Sequence, residues 1–430
     1  MRPDPRFDDN ELLDEAFAAL DARTSGWVVL RGIGRYAGDG DDVDVLVRPA
    51  SGGPVDRLLS GTSFVRVAPG GRGSHRFPLR IREREFRAYV QDNDTWVDLD
   101  LLTEVAFGLD LEYRTALAGE LIGRRRRVNG VERLEPVDEF WYVALHDLLK
   151  RGCVAAHRWS VLCEDAATIA TTGPVHQLAE RVLPGSAQRL LRALQHQDLG
   201  RARELGSALQ RAWQRRRPVG TLVVRAVSRV VRDVPSPAGG GLSVALVGPD
   251  GAGKTTLAAA LRGTMPVPSA YVYLGIWRDM RYESVLRWLI GARLAVRLFS
   301  LLGKARWIAW QRRMGRLVLL DRFTADADLP YDRFDWRGRV SAAIVRRTVP
   351  DPDLVLVLDA PGALMFARKG EHTEAELEES RSNYLRIAHR FRHHAVIDAT
   401  RPADVVRREA TALIWRRWSG AELEEPARGV

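Results

Sequence analysis

The spacing of apolar positions changes character along the chain and divides it into segments. Residues 11–22 repeat Leu, Ala and Phe at helical spacing behind the capping run Asp8-Asp9-Asn10, which predicts an opening helix. Trp27-Val28-Val29-Leu30 then reads as a short strand, and 42–47 and 96–101 alternate acidic and apolar residues as half-buried strands do. From 136 to 233 the strand signals stop, and 138–150 and 187–210 carry Leu, Ala and Arg at helical spacing. Pro235-Ser236-Pro237-Ala238-Gly239-Gly240-Gly241 is the clearest linker. Beyond it, apolar runs at 242–247, 271–274, 317–320, 354–358 and 395–397 alternate with helical stretches. Continuous apolar runs imply strands covered on both faces, hence a parallel α/β sheet with helices on both sides. The expected organisation is an α+β domain over 1–135, a helical module over 136–233, a linker over 234–241 and the parallel-sheet domain over 242–430.

Composition adds limits. A chain of 430 residues exceeds one ordinary core, and 46% apolar with 28% charged residues is the balance of a soluble globular protein. A net charge of +10 raises the question of a nucleic-acid partner, yet only four of the 65 basic residues are lysines. The arginines are scattered among acids apart from the run Arg124 to Arg127, which favours a solvated basic surface over a nucleic-acid stripe. Two cysteines supply neither a disulfide framework nor a zinc site, and Met1-Arg2-Pro3-Asp4-Pro5 has no apolar core of a secretory signal. A reducing cytoplasm is the expected compartment.

The densest chemistry lies at Gly248-Pro249-Asp250-Gly251-Ala252-Gly253-Lys254-Thr255. This Gly-x4-Gly-Lys-Thr pattern follows an apolar strand run and precedes Thr256 and a good helix over 256–261. Glycines let the backbone curl so that several N–H groups and a helix N-terminus converge on one anion. Lys254 can reach the β- and γ-phosphates of a nucleotide, and the Thr255 hydroxyl can ligate Mg²⁺. Asp321 ends another buried run, where a carboxylate can hold that metal through water, and Arg322 follows it. Nucleotide binding alone admits a GTPase, a motor or a kinase; no Asn-Lys-x-Asp guanine-reading sequence follows.

Residues of about 242 to 415 resemble the thymidylate kinase family of P-loop nucleoside monophosphate kinases. The loop with its acidic Asp250, Asp321-Arg322-Phe323, the run Pro352 to Asp359, and Ala367-Arg368-Lys369-Gly370-Glu371 ahead of an acidic helix ending Arg381-Ser382-Asn383-Tyr384 match in order. The resemblance implies ATP and Mg²⁺ as cofactors, with Gly248 to Thr256 holding the phosphates. It implies that Arg322 binds the acceptor or transferred phosphoryl group, and that Arg368 and Lys369 close over it as a lid. Cationic charge around a spreading phosphoryl transition state fits that chemistry. The acceptor half departs from the family: Tyr273-Leu274-Gly275-Ile276-Trp277-Arg278-Asp279 replaces its Thr-Arg-Glu-Pro-Gly stretch, and 324–330 lacks its Ser and Gln. A sugar, a sugar phosphate or a specialised-metabolite intermediate therefore stands beside a nucleoside monophosphate as acceptor. A regulator that binds ATP without turnover is the reading from another class.

Two further features complete the expectations. The stretch 284–302 is apolar but interrupted by Arg287, Arg293 and Arg297, which excludes a spanning helix and leaves lid packing, a partner helix or peripheral membrane contact; a homodimer is left open. In the first domain, Asp42 and Asp44 share one strand face, and Asp98 and Asp100 share another. Carboxylates converging from two strands can hold Mg²⁺ for nucleotidyl transfer. With Arg31-Gly32-Ile33-Gly34 as a partial helix start, this resembles the DNA polymerase β-type nucleotidyltransferase superfamily, and Asp42, Asp44 and Asp100 are the implied metal ligands.

Overall fold

The computed structural model describes residues 11–38, 41–50, 55–67, 83–108, 111–216, 240–274, 290–321, 323, 350–370 and 372–420. By packing, the chain divides into two units, the main division falling between Val234 and Pro235 and the short stretch Tyr89–Thr95 grouping with the second. Each is described by itself.

The first unit opens with the helix Glu11–Arg23 and continues through strands β1 (Thr24–Arg31), β2 (Val43–Pro49), β3 (Val65–Arg66), β4 (Glu83–Val90), β5 (Thr95–Leu102), β6 (Ala106–Phe107), β7 (Tyr113–Arg114), β8 (Arg126–Val128) and β9 (Val131–Arg133). Seven of these form one mixed sheet in the order β3-β4-β5-β2-β1-β9-β8. The two-residue period of a strand sorts its side chains onto two cores. Val29, Val43, Val45, Leu99 and Leu101 pack with Phe17 and Leu20 of the opening helix. Val28, Leu30, Leu46 and Leu102 join Phe140, Trp141 and Leu145 of the helix Pro136–Arg151 on the other face. That helix starts with Pro136, stops at Gly152 in the left-handed region (φ 73°), and buries twelve of its sixteen residues. A helix buried nearly all round needs cover on every side. It obtains this from the sheet and from the later helices Pro174–Val182, Ser186–Gln195 and Leu199–Arg216. The helices from 136 onward thus share a core with the sheet.

The second unit is a five-stranded sheet: β10 (Ser243–Val247), β11 (Ser269–Tyr273), β12 (Leu317–Asp321), β13 (Leu354–Asp359) and β14 (His394–Asp398). The order is β11-β12-β10-β13-β14, and every neighbouring pair is parallel. All five residues of β10 and of β12 are buried, as the continuous apolar runs require. Central β10 sits between strands reached in opposite directions along the sheet. Its carboxyl end is therefore the crevice where open α/β sheets bind ligands. The helix Ile290–Arg313 buries Leu301 and Ile308 in this core and leaves Phe299, Leu302, Trp307 and Trp310 exposed. Residues 284–289 of the interrupted apolar stretch lie outside the described residues, and no described helix is long and apolar enough to cross a membrane.

Trp141 has no exposed surface, stands edge-on to Phe140 at 5.2 Å, and donates from Nε1 to the carbonyl of Ala170 at 3.1 Å. Trp141→Ala should lower unfolding free energy by about 3–5 kcal/mol, the usual range for emptying a buried aromatic site. Denaturant titration checks this; a loss under ~1 kcal/mol would mean that sheet and helices do not share a core.

Candidate functional site

Where β10 ends, the chain turns through Gly248, Gly251 and Gly253 at φ of 144°, 88° and 96°. A Cβ at Gly251 would lie 2.6 Å from the carbonyl oxygen of Met365, a backbone atom that cannot swing away, so only glycine fits. The turn delivers the chain into the helix Lys254–Thr264, with Gly253 at its cap and no side-chain cap on its first amides. An uncapped helix start presents N–H donors and a positive dipole end to whatever stands before it. Among the described residues, a Cβ at Gly253 would meet nothing within 4 Å, so that face of the loop opens onto a cavity. The buried Lys254 ammonium donates to the carbonyls of Gly248 and Pro249, each at 2.7 Å, and so fastens the loop to its own helix.

Asp321 ends β12 beside Leu246 of β10 and is buried. Two hydroxyls donate to the same oxygen, Oδ2: Thr255 Oγ1 at 3.1 Å and Tyr271 Oη, from β11, at 2.6 Å. Burial, then the hydrogen bond to Asp321, pushes the Tyr271 phenol up to about 12. Asp250 stands 3.9 Å from Lys254, 3.8 Å from Lys369 and 3.9 Å from His372. The helix Gly362–Lys369 ends at Gly370 (φ 68°), and a Thr373–Glu376 capping box starts the next, Glu374–Ala388. Arg381 locks that second helix to the sheet through both oxygens of Asp359, at 2.5 and 3.0 Å.

Several of these groups line one cavity of about 900 Å³, within the size range of small-molecule sites. Asp250, Gly251, Ala252, Gly253, Lys254, Thr255, Thr256, Asp321, Arg368 and Lys369 all line it. Gly248 and Pro249 contribute from behind, through the carbonyls that hold Lys254. The Arg368 guanidinium donates to the carbonyl of Ala399 at 3.0 Å, and Lys369 stands 3.8 Å from Asp250 of the loop. Arg322 and the segment 324–330 lie outside the described residues. Sequence reasoning missed the far wall: Leu358, Ala399, Arg401, Ala403 and Val406. The signal was the turn Asp398-Ala399-Thr400-Arg401 at the carboxyl end of a strand, which Asp398 shapes by accepting from Thr400 N (2.9 Å) and Oγ1 (2.6 Å). It missed Tyr271 too, because an apolar strand position reveals no role for a hydroxyl.

The acidic strands of the first unit have a different outcome. β2 and β5 are parallel neighbours, Asp44 is in register with Asp100, and both are buried. The guanidinium of buried Arg31 grips both oxygens of Asp44, through Nε and through a second contact at 3.2 Å, and reaches Asp42 at 4.0 Å. Asp98 pairs with Arg87 at 3.0 Å, and burial pushes its carboxyl up to about 6. Among the described residues no group of three or more His, Cys, Asp or Glu is arranged to hold a metal ion. Where the expectation set a metal ion against Asp44, the structure has the guanidinium of Arg31. Behind them Arg158 bonds Asp147 at 2.8 Å and the carbonyl of Tyr36 at 2.9 Å, and it also pairs with Asp41. His146 beside this network is held neutral, its pKa lowered to about 3 by burial and by Arg31.

No family model matches the chain. Among curated proteins, thymidylate kinase of Xanthomonas euvesicatoria pv. vesicatoria (strain 85-10) is 32% identical over 202 residues, spanning 41% of this chain and 84% of that protein. The enzyme of Xanthomonas oryzae pv. oryzae (strain PXO99A) is 31% identical over 202 residues, with 83% of its length covered. The chain belongs to the thymidylate kinase family. That membership concerns 41% of the chain and does not bear on the nucleotidyltransferase resemblance. Among solved structures, the thymidylate kinase from Candida albicans aligns with 17% identity and a TM-score of 0.33, over 41% of this chain and 91% of that one. The M. mycoides deoxyadenosine kinase aligns with 14% identity and a TM-score of 0.31, over 40% and 97%.

The Arg31–Asp44 pair makes a stability prediction that a metal site does not. Removing one partner of a buried pair strands the other charge, at about 3–5 kcal/mol. Asp44→Ala should lower stability by that order in metal-free buffer, and Arg31→Met with Asp44→Leu should recover most of it. If Asp44→Ala is neutral in chelator and destabilising only in Mg²⁺, the carboxylate is a metal ligand after all.

Proposed function

We propose that the second unit transfers the γ-phosphoryl group of ATP to a small acceptor, with a nucleoside monophosphate as that acceptor. The observation that carries this reading is the convergence, on one cavity, of the uncapped helix start, the Lys254 ammonium, the Thr255–Asp321 pair and the lid cation Lys369. A hydroxyl and a carboxylate are hard oxygen donors suited to Mg²⁺. Thr255 donates its proton to Asp321, which keeps its lone pairs available to a cation. Bound there, Mg²⁺ would neutralise charge on the β- and γ-oxygens. The loop amides orient the phosphates, and Lys254 holds the loop in shape from below. Lys369, at the end of a helix that can close, adds charge and keeps water from the transferring group.

Lys304 donates to the carbonyl of Tyr273, the last residue of β11, at 3.0 Å, and burial lowers its pKa. Tyr273 lies in register with Asp321 and lines the cavity. The sequence here departs from the family's acceptor stretch, which favours, as a second reading, a sugar phosphate or another specialised intermediate of the same charge.

For the first unit we propose a nucleotidyltransferase-like sheet without the metal chemistry. The in-register pair Asp44 and Asp100 supports the likeness, and Arg31 on Asp44 argues against the metal.

An ADP-release screen of the full chain against nucleoside monophosphates, sugars and sugar phosphates tests the leading reading. Acceptor-dependent ADP release should appear with a phosphorylated acceptor, and Lys254→Ala should reduce kcat/KM by at least ~10²-fold, the scale for losing one preorganised charge donor. Tight ATP binding with no acceptor-dependent release from any pool would establish a nucleotide-binding regulator instead.

A further inference from the structure

We infer that Tyr271 is a positioning residue for Asp321, and that its phenol sets how readily the site takes up Mg²⁺. This rests on the proposed phosphotransferase site and adds to it a residue that lies outside the loop and the lid and two positions before the acceptor stretch that begins at Tyr273.

The geometry is specific. β11 and β12 are parallel neighbours in which Tyr271 pairs with Leu319 and Tyr273 with Asp321. Tyr271 therefore lies one same-face step behind the residue opposite Asp321, and a side chain must extend along the strand to reach the carboxylate. Burial along β11 alternates, with Ala270 and Val272 buried and Tyr271 and Tyr273 half-buried, so the phenol belongs to the more open face. Its oxygen meets Asp321 Oδ2 at 2.6 Å, inside the range of charge-assisted O–H···O⁻ bonds. Phenylalanine would fill the strand position equally well and could not make this bond.

The consequence follows from which oxygen is held. Tyr271 and Thr255 both donate to Oδ2, from two different elements, β11 and the helix after the loop. The carboxylate is fixed against rotation about its terminal torsion, a broad and soft degree of freedom when unconstrained. Asp321 and the Thr255 hydroxyl are thereby kept in one relative placement before any cation arrives. Without the phenol, Oδ2 keeps, among the described residues, the weaker 3.1 Å contact, and ordering the carboxylate falls to the incoming ion. Residues that orient metal-side carboxylates typically change metal affinity by about 10–100-fold when removed.

The test uses the full chain and Tyr271→Phe, with Mg²⁺ titrated against binding of a fluorescent ATP analogue and against ADP release. The proposal expects the Mg²⁺ concentration for half-maximal effect to rise about 10-fold, with Mg²⁺-free nucleotide binding unchanged and kcat restored to within about twofold at saturating Mg²⁺. In an Asp321→Asn background the same change should shift nothing further, because the two residues act as one unit. A wild type that depends on Mg²⁺ beside an unchanged Tyr271→Phe curve overturns the positioning role alone. Loss of melting temperature or kcat without a Mg²⁺ shift overturns it equally, since the tyrosine is then structural. A wild type indifferent to Mg²⁺ overturns both this inference and the metal-assisted reading beneath it.

Discussion

The amide groups at the start of the helix Lys254–Thr264 have no side chain to cap them, and the second unit is organised around that unmet demand. A helix start left open inside a crevice is unfavourable unless an anion answers it. The sheet places this start at its centre, at the end of the fully buried strand β10. Glycines with positive φ let the loop double back without colliding with Met365, and Lys254 secures the doubled loop through two carbonyls. Every other group of the site is disposed around the same point. Asp321 comes from the neighbouring strand, Lys369 from the end of a helix, and Arg368 and Arg401 from the opposite wall. The cavity is thus the crevice of an open parallel sheet, sharpened by one loop into a phosphate site.

Two buried strand aspartates in this chain show how neighbours decide what a carboxylate does. Asp321 is met by hydroxyls, from Thr255 and Tyr271, which orient it and leave its charge to be answered by a cation. Asp44 is met by the guanidinium of Arg31, which answers the charge at once. Both are buried and both stand on sheet strands. The first faces hydroxyl donors and the second a guanidinium, as Asp147 faces that of Arg158. A carboxylate pair in register is therefore insufficient grounds for metal chemistry until the nearest cation is known.

Much of this was legible in the residues. The phosphate loop, its flanking strand and helix, and the parallel sheet could be read because they depend on local spacing and continuous burial. The Asn129-Gly130 hairpin between β8 and β9 was equally legible, with both residues at positive φ, but the adjoining arginine run was read only as surface charge. β4 was hidden because half of Glu-Arg-Glu-Phe-Arg-Ala-Tyr-Val is charged, and among its described side chains Phe86 and Ala88 carry the buried face. Other features depend on distance across the fold. Nothing in spacing brings Arg31 to Asp44, thirteen residues away, Tyr271 to Asp321, fifty away, or Arg368 to the Ala399 carbonyl. Those pairings are set by register between strands and by helix packing, which a single sequence does not display.

The central claim is that this crevice moves a phosphoryl group onto an organic acceptor. Following the γ-phosphorus of ATP by ³¹P NMR, with the full chain, Mg²⁺ and a nucleoside monophosphate, tests it most directly. The account predicts that the γ signal disappears as the β-phosphorus of a new nucleoside diphosphate appears in equal amount. A γ-phosphorus that emerges only as inorganic phosphate, or that stays in ATP across nucleotide and sugar phosphate acceptors, would contradict it.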